Sequence, residues 1–173
     1  MKLFLERVPS PIGTILLVSD EDALRALDFE DCEHRMHQLL RRYYGPYTLA
    51  PDRAPGEASG RLAAYFAGDM VALDSIPTRT AGTDFQRRVW AALRCIPPGT
   101  TTTYGRLAAR IGAPLASRAV GLANGANPIA LVVPCHRVIG ADSSLTGYGG
   151  GLTRKAWLLR HEKSAMLPRE NAA

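Results

Sequence analysis

The sequence predicts a two-domain α+β protein: a small antiparallel sheet with helices over residues 1–79, then a helical domain carrying a helix-turn-helix over residues 80–173. Short apolar runs broken by turn residues fill the first part, and apolar residues at helical spacing fill the second. The charge also changes sign between them. Residues 1–79 hold 9 Lys and Arg against 12 Asp and Glu, a net −3, and residues 80–173 hold 12 against 4, a net +8.

Residues 2–8 and 14–19 are apolar-rich and are separated by Pro9-Ser10-Pro11-Ile12-Gly13, which predicts two strands and a turn. Leu24 to Phe29 alternates and predicts a third strand. Glu33 to Tyr44 sets Met36, Leu39, Leu40 and Tyr43 at helical spacing, and Gly45-Pro46 ends that helix. Residues 50–57 read as loop. Ala58 to Ala67 predicts a short helix with Leu62, Tyr65 and Phe66 on its apolar face and Gly68 at its end. Residues 69–82 have no clear period, and the domain boundary is placed there.

The second half opens on Thr83-Asp84-Phe85-Gln86, a capping box with Thr83 as N-cap. Phe85, Val89, Trp90 and Leu93 make one stripe, ended by Pro97-Pro98-Gly99. Thr103 is placed to cap a helix from Tyr104 to Ile111, and Pro114 to start another that runs to Asn124. That pair is a helix-turn-helix pattern. Its second helix is rich in small residues, with Arg118 and Asn124 as its long polar side chains. A DNA major-groove reader needs more Arg, Asn and Gln than this, whereas small residues permit close approach to a minor groove or to a neighbouring helix. The run Ile129-Ala130-Leu131-Val132-Val133 predicts a buried strand, and Thr153 to Glu162 a last helix with Arg154, Lys155 and Arg160 on its polar side.

The chain has 173 residues, a net charge of +5 and 46% hydrophobic residues, with no apolar run near the roughly 18 residues of a membrane span. Charge inside Met1-Lys2-Leu3-Phe4-Leu5-Glu6-Arg7 argues against a secretory signal. Cys32, Cys95 and Cys135 are an odd number without a Cys-x-x-Cys pair, which predicts a protein of a reducing cytosol rather than a disulfide framework. Cys32, His34 and His37 lack a fourth ligand at a metal-binding spacing, so no metal is expected. A basic half beside an acidic one fits a polyanion partner or a solubilising surface equally well.

The most informative stretch is Pro134-Cys135-His136-Arg137-Val138, between that apolar run and Gly147-Tyr148-Gly149-Gly150-Gly151. A thiol beside an imidazole is a candidate nucleophile, provided the site lowers its pKa from about 8.5. Cys32 and Cys95 better fit small hydrophobes.

With Asn127-Pro128 upstream and Lys155-Ala156-Trp157-Leu158-Leu159-Arg160-His161-Glu162 downstream, this stretch resembles the O6-alkylguanine-DNA alkyltransferases. Ser10-Pro11-Ile12-Gly13 and Tyr65-Phe66-Ala67-Gly68 resemble their bacterial Ogt type. The resemblance implies an RNase H-like first domain and a winged-helix-like helix-turn-helix. It implies irreversible, single-turnover transfer of an alkyl group from O6-alkylguanine, and less readily O4-alkylthymine, onto Cys135. His136 would take the thiol proton through a water, oriented by Glu162. Asn127 would tie the helix-turn-helix to the cysteine turn, and Tyr104 would protonate the departing base. Arg118 would fill the gap left by a flipped nucleotide, with Ala119, Gly121, Asn124 and Thr103 also at the DNA. Tyr148, Gly149, Gly150, Val138 and Pro134 would line the base pocket, Gly149 making it roomier, and the carbonyls of Cys135 and Val138 would accept the guanine amino group. Arg137 is expected to be structural. The implied partner is double-stranded DNA bound by its minor groove. No cofactor and no membrane are implied, and the protein is expected to be a cytoplasmic monomer.

Two other readings follow from the residues alone. A DNA-binding regulator would use Cys135 as a sensor, but its recognition helix would want base-reading side chains and a dimer surface. A cysteine hydrolase would turn over repeatedly without DNA.

Overall fold

β1 (Lys2–Val8), β2 (Ile15–Ser19) and β3 (Leu24–Phe29) form where the apolar runs predict them in the computed structural model, which describes residues 1–51 and 57–166. β1 and β2 pair antiparallel, from Phe4 opposite Ser19 to Val8 opposite Ile15. β3 joins β2 antiparallel, with a register shift at Val18 and Ser19. A fourth strand, β4 (Thr48–Pro51), pairs parallel with β1, so the sheet is mixed in the order β3-β2-β1-β4. β4 overlaps the expected loop 50–57, of which residues 52–56 lie outside the described residues. It is an edge strand that closes on Pro51, a position where a missing N–H costs little.

β2 is buried along its whole length, because both faces of the sheet are covered. Leu16 and Val18 pack with Leu3 and Ala26 beneath Met36 and Leu40 of α1 (Glu33–Tyr44). Ile15 and Leu17 point the other way, as a period of two requires. They join a larger core with Leu62 and Tyr65 of α2 (Ala58–Phe66) and Val89, Trp90 and Leu93 of α3 (Asp84–Arg94). Each such side chain contributes about 1.5–3 kcal/mol on burial. Gly45, at φ +71°, ends α1 as the sequence predicts.

α3 has the expected capping box. Thr83 Oγ1 accepts from the N–H of Gln86 at 3.2 Å, and Gln86 Oε1 accepts from the N–H of Thr83 at 3.0 Å. Trp90 Nε1 donates to the carbonyl of Ala123 at 2.9 Å, fixing α3 against α5 (Ser117–Gly125). α4 (Tyr104–Arg110) precedes α5, capped by Thr103, whose Oγ1 accepts from the N–H of Arg106 at 3.3 Å. α5 begins at Ser117 rather than Pro114, because residues 113–116 form a separate turn closed by Ala116 N–H to Ala113 O at 2.9 Å. α6 (Leu152–Met166) begins one residue before and runs four residues beyond the expected Thr153–Glu162.

The expected strand over 129–133 does not form. Ile129 makes a single parallel bridge to Leu27, where β3 N–H meets Pro128 O at 2.9 Å and Ala130 N–H meets Leu27 O at 3.0 Å. The segment thus covers the open edge of β3 and then folds away. Leu131 sits at φ +67°, and the N–H of Val132 reaches back to Ala130 O at 2.8 Å, the geometry of a γ-turn. The run is apolar because it is buried on all sides, and burial alone does not distinguish a strand from a packed turn.

Candidate active site

A second γ-turn, of inverse hand, delivers the cysteine. Pro134 has φ −79° and ψ 66°, and the N–H of Cys135 bonds to Val133 O at 2.8 Å. Cys135, His136 and Arg137 then form one 3-10 turn, leading into β6 (Val138–Ile139). β6 pairs parallel with β5 (Thr102–Thr103), Thr102 opposite Val138, which brings the start of α4 beside the cysteine turn. Neither two-residue strand is legible from the sequence.

Asn127 holds these turns together. It is fully buried; its Nδ2 donates to Val133 O at 2.8 Å, and its Oδ1 accepts from the N–H of Ile129 at 3.0 Å. The end of α5 is thereby joined to the cysteine turn.

Cys135 is 4% exposed. Burial pushes its thiol pKa above the ordinary value, opposed by a hydrogen bond with Asn127 and by the positive charges of Arg35 and Lys155. Desolvation of the thiolate outweighs those three influences in the resting site. The proton therefore needs an acceptor at the moment of reaction. His136 is fully buried beside it. Its Nε2 bonds Glu162 Oε1 at 2.7 Å, and its Nδ1 has no protein partner among the described residues. Burial lowers the imidazole pKa, the hydrogen bond and charge of Glu162 oppose this, and Arg137 and Lys155 lower it further.

Glu162 is also fully buried and serves more donors than the sequence suggests. Arg137 Nη2 reaches Oε1 at 2.9 Å and Arg137 Nε reaches Oε2 at 3.0 Å, a bidentate pair. Tyr65 Oη donates to Oε1 at 2.8 Å, and the N–H of Gly99 to Oε2 at 3.3 Å. Burial by itself would raise the carboxyl; the hydrogen bonds and charges of His136 and Arg137 hold it far below the usual range. Arg137 has the structural role expected of it, since its Nη1 also donates to Ile96 O at 2.6 Å.

Lys155 is not on the polar side of α6 but completely buried. Its Nζ donates to Val138 O at 2.5 Å, Thr146 O at 2.7 Å and Gly147 O at 3.4 Å, and burial lowers its pKa. The ammonium is tolerated there because carbonyls replace its water. Val138 O, an expected acceptor for a bound base, already takes one donor. Cys135 O takes the N–H of Val138, and lies 3.5 Å from Asn124 Nδ2.

Asn124 is consequently misread from sequence. It is 4% exposed and turned towards the cysteine turn, not outward from α5. Arg118 and Ala119 are exposed, and Arg118 has no partner among the described residues. Gly121 is half-buried, and a Cβ there would lie 3.7 Å from the Tyr104 ring. Leu115 and Leu122, 99% and 72% exposed, add an apolar surface beside Arg118 that helical spacing alone does not reveal. Thr103 is half-buried as a cap. Tyr104 is half-buried, with Oη 3.3 Å from Thr146 O.

Tyr148 stands edge-on to His136, ring centres 6.4 Å apart, with its hydroxyl buried and unpartnered by protein among the described residues. A Cβ on Gly150 would lie 2.6 Å from the Phe29 ring, which explains that glycine. A Cβ on Gly149 would lie 2.5 Å from the Arg35 guanidinium. The Arg35 guanidinium therefore packs directly against the Gly149 backbone. Arg35 comes from α1. It pairs with buried Asp28, and its Nη2 donates to Gly125 O and Asn127 O, each at 3.1 Å. No sequence signal marks it.

The chain belongs to the 6-O-methylguanine DNA methyltransferase family. The family's ribonuclease-like domain matches residues 4–80 and its DNA binding domain residues 84–164. A methylated-DNA--protein-cysteine methyltransferase of Salmonella typhimurium is 51% identical, over 96% of this chain and 99% of its own. One from Methanosarcina acetivorans is 47% identical over 90% of this chain and 95% of its own. The crystal structure of Mycobacterium tuberculosis OGT in complex with DNA superposes with a TM-score of 0.79 at 46% identity, covering 95% of this chain and 94% of that one. Among the described residues, no helix is long and apolar enough to cross a membrane, and no group of three or more His, Cys, Asp and Glu side chains is set to hold a metal.

Proposed function

We propose that this chain repairs DNA by direct reversal, moving an alkyl group from O6-alkylguanine to Cys135. The carrying observation is the buried sequence Cys135-His136 with His136 Nε2 held by Glu162 at 2.7 Å. Family membership supplies the reaction class, which the relatives' names describe.

In this reading the thiol proton passes to His136 Nδ1, directly or through a water. Sγ attacks the alkyl carbon, the carbon–O6 bond breaks, and its electron pair leaves with the guanine. The imidazolium is stabilised by Glu162. Tyr104 donates a proton to the departing base, and its phenolate is reprotonated from solvent. The product thioether offers no ready leaving group, so each molecule acts once. Arg118, with Ala119, enters the minor groove and fills the gap left by the flipped nucleotide, offsetting a few kcal/mol of lost stacking. Tyr148, Gly149, Gly150, Pro134 and Val138 surround the base, and Asn127 keeps the cysteine turn in register with α5. O4-alkylthymine is a poorer substrate. Residues 1–79 and 80–173 act as two units sharing one core, in a cytoplasmic monomer.

The test is a count. With excess duplex bearing labelled O6-methylguanine, transfer stops near one group per protein and vanishes in Cys135→Ala. Repeated turnover returns the hydrolase reading, and no transfer favours the sensor.

A further inference from the structure

The sequence Tyr65-Phe66-Ala67-Gly68 belongs to the N-terminal half, and nothing in the reaction above uses it. Yet Tyr65, fully buried on α2, donates its hydroxyl to Glu162 Oε1 at 2.8 Å. That oxygen is the one bonded by His136 Nε2 at 2.7 Å, and Arg137 Nη2 reaches it at 2.9 Å. A carboxylate oxygen has two lone pairs in its plane, so donors from three residues compete for it, Arg137 Nε also lying 3.3 Å away. We propose that Tyr65 is a positioning residue of the relay: by drawing on the oxygen that holds His136, its hydroxyl limits the basicity that Glu162 confers on the imidazole. His136 then stays neutral and able to accept the thiol proton.

This rests on the reading that His136 is that acceptor. The surroundings agree with it. His136 faces Glu162 and Lys155 from α6, Arg137 and Cys135 from its own turn, the Tyr148 ring from the glycine-rich loop, and Tyr65 across the shared carboxylate. Of these groups, only Glu162 favours the charged imidazole. Burial, and then the charge of Glu162 and its hydrogen bond, keep the Tyr65 phenol protonated, so it serves as a donor throughout the working pH range. His161, 5.3 Å from the Tyr65 ring, is engaged with the Tyr65 carbonyl at 2.9 Å and leaves the hydroxyl to Glu162. The N-terminal half would thereby help set the working pH of a site whose reacting groups, Cys135 and His136, lie in the other half.

The experiment measures transfer from free O6-benzylguanine against pH, which needs no DNA binding. Tyr65→Phe keeps the ring and removes the donor. The acid limb of the profile should move up by about one pH unit, a roughly tenfold loss of rate below the limb. Site-specific 3,5-difluorotyrosine at position 65, a stronger donor, should move the limb down. Limbs that stay in place in both variants overturn the proposal, even if Tyr65→Phe is slower or less stable. Should Tyr65→Phe fail to fold, the fluorinated protein decides alone. If the wild type transfers nothing, the function proposed above fails. The His136 Cε1–H titration by NMR then still tests Tyr65, which requires the His136 pKa to rise in Tyr65→Phe and to fall in the fluorinated protein.

Discussion

Asn127→Ala removes two hydrogen bonds to the backbone from a fully buried position. The N–H of Ile129 loses its acceptor, and Val133 O loses the amide while keeping the N–H of Cys135. An orphaned buried backbone donor costs about 1–3 kcal/mol, and the lost neutral hydrogen bond to Val133 adds about 1. The expected destabilisation is thus about 2–4 kcal/mol, a large part of the 5–15 kcal/mol typical of a domain. Urea denaturation should show a lower midpoint with an unchanged slope. The same side chain keeps successive γ-turns in register, and loss of that register shifts Sγ. A misplacement of about 1 Å costs about 10²-fold in rate, which transfer from free O6-benzylguanine measures at a temperature where the variant is folded. A destabilisation below about 0.5 kcal/mol, the scale of ordinary surface substitutions, would refute this account of the turn.

Acid should weaken the fold in two stages. His136 has a folded pKa below its ordinary 6.5, so its contribution is present above pH 6.5 and is lost as pH falls through it. Glu162, depressed from 4.5, contributes above that value and is lost on further acidification. Urea midpoints measured against pH should lack the second stage in Glu162→Gln. That variant should also lose about 3–5 kcal/mol, because Arg137 is left buried without its counter-charge. Arg118→Ala should slow repair of duplex at least tenfold while leaving transfer from the free base unchanged, and equal losses on both would remove its flipping role. In the folded protein, a bulky disulfide reagent should label exposed Cys95 first, half-buried Cys32 next and Cys135 last by peptide mass, with Cys135 labelled fast only in denaturant.

The helices were legible because their information is local. Glu33–Tyr44 carries its apolar spacing and its stop at Gly45, and Thr83 with Gln86 announces the start of α3. β4 is invisible in the sequence because four residues closing on proline have no period of their own. The run 129–133 predicts a strand because an apolar composition reports burial, while the turns at Leu131 and Pro134 depend on a side-chain tie from Asn127. Within the site, Cys135, His136, Asn127 and Glu162 come together as the motif suggests. The polarity of Lys155 and Asn124 points outward, and only the carbonyls around them show otherwise. Tyr65 and Arg35 reach the site from elements 97 and 92 residues away from their partners Glu162 and Asn127, a separation that no local pattern encodes.

Peptide mapping of the intact protein after reaction with duplex O6-methylguanine tests the central claim most directly. One methyl group on Cys135, with Cys32 and Cys95 unmodified and no second methyl at any excess of DNA, is the predicted result. A methyl group on another residue, or guanine released while Cys135 remains a free thiol, would contradict it.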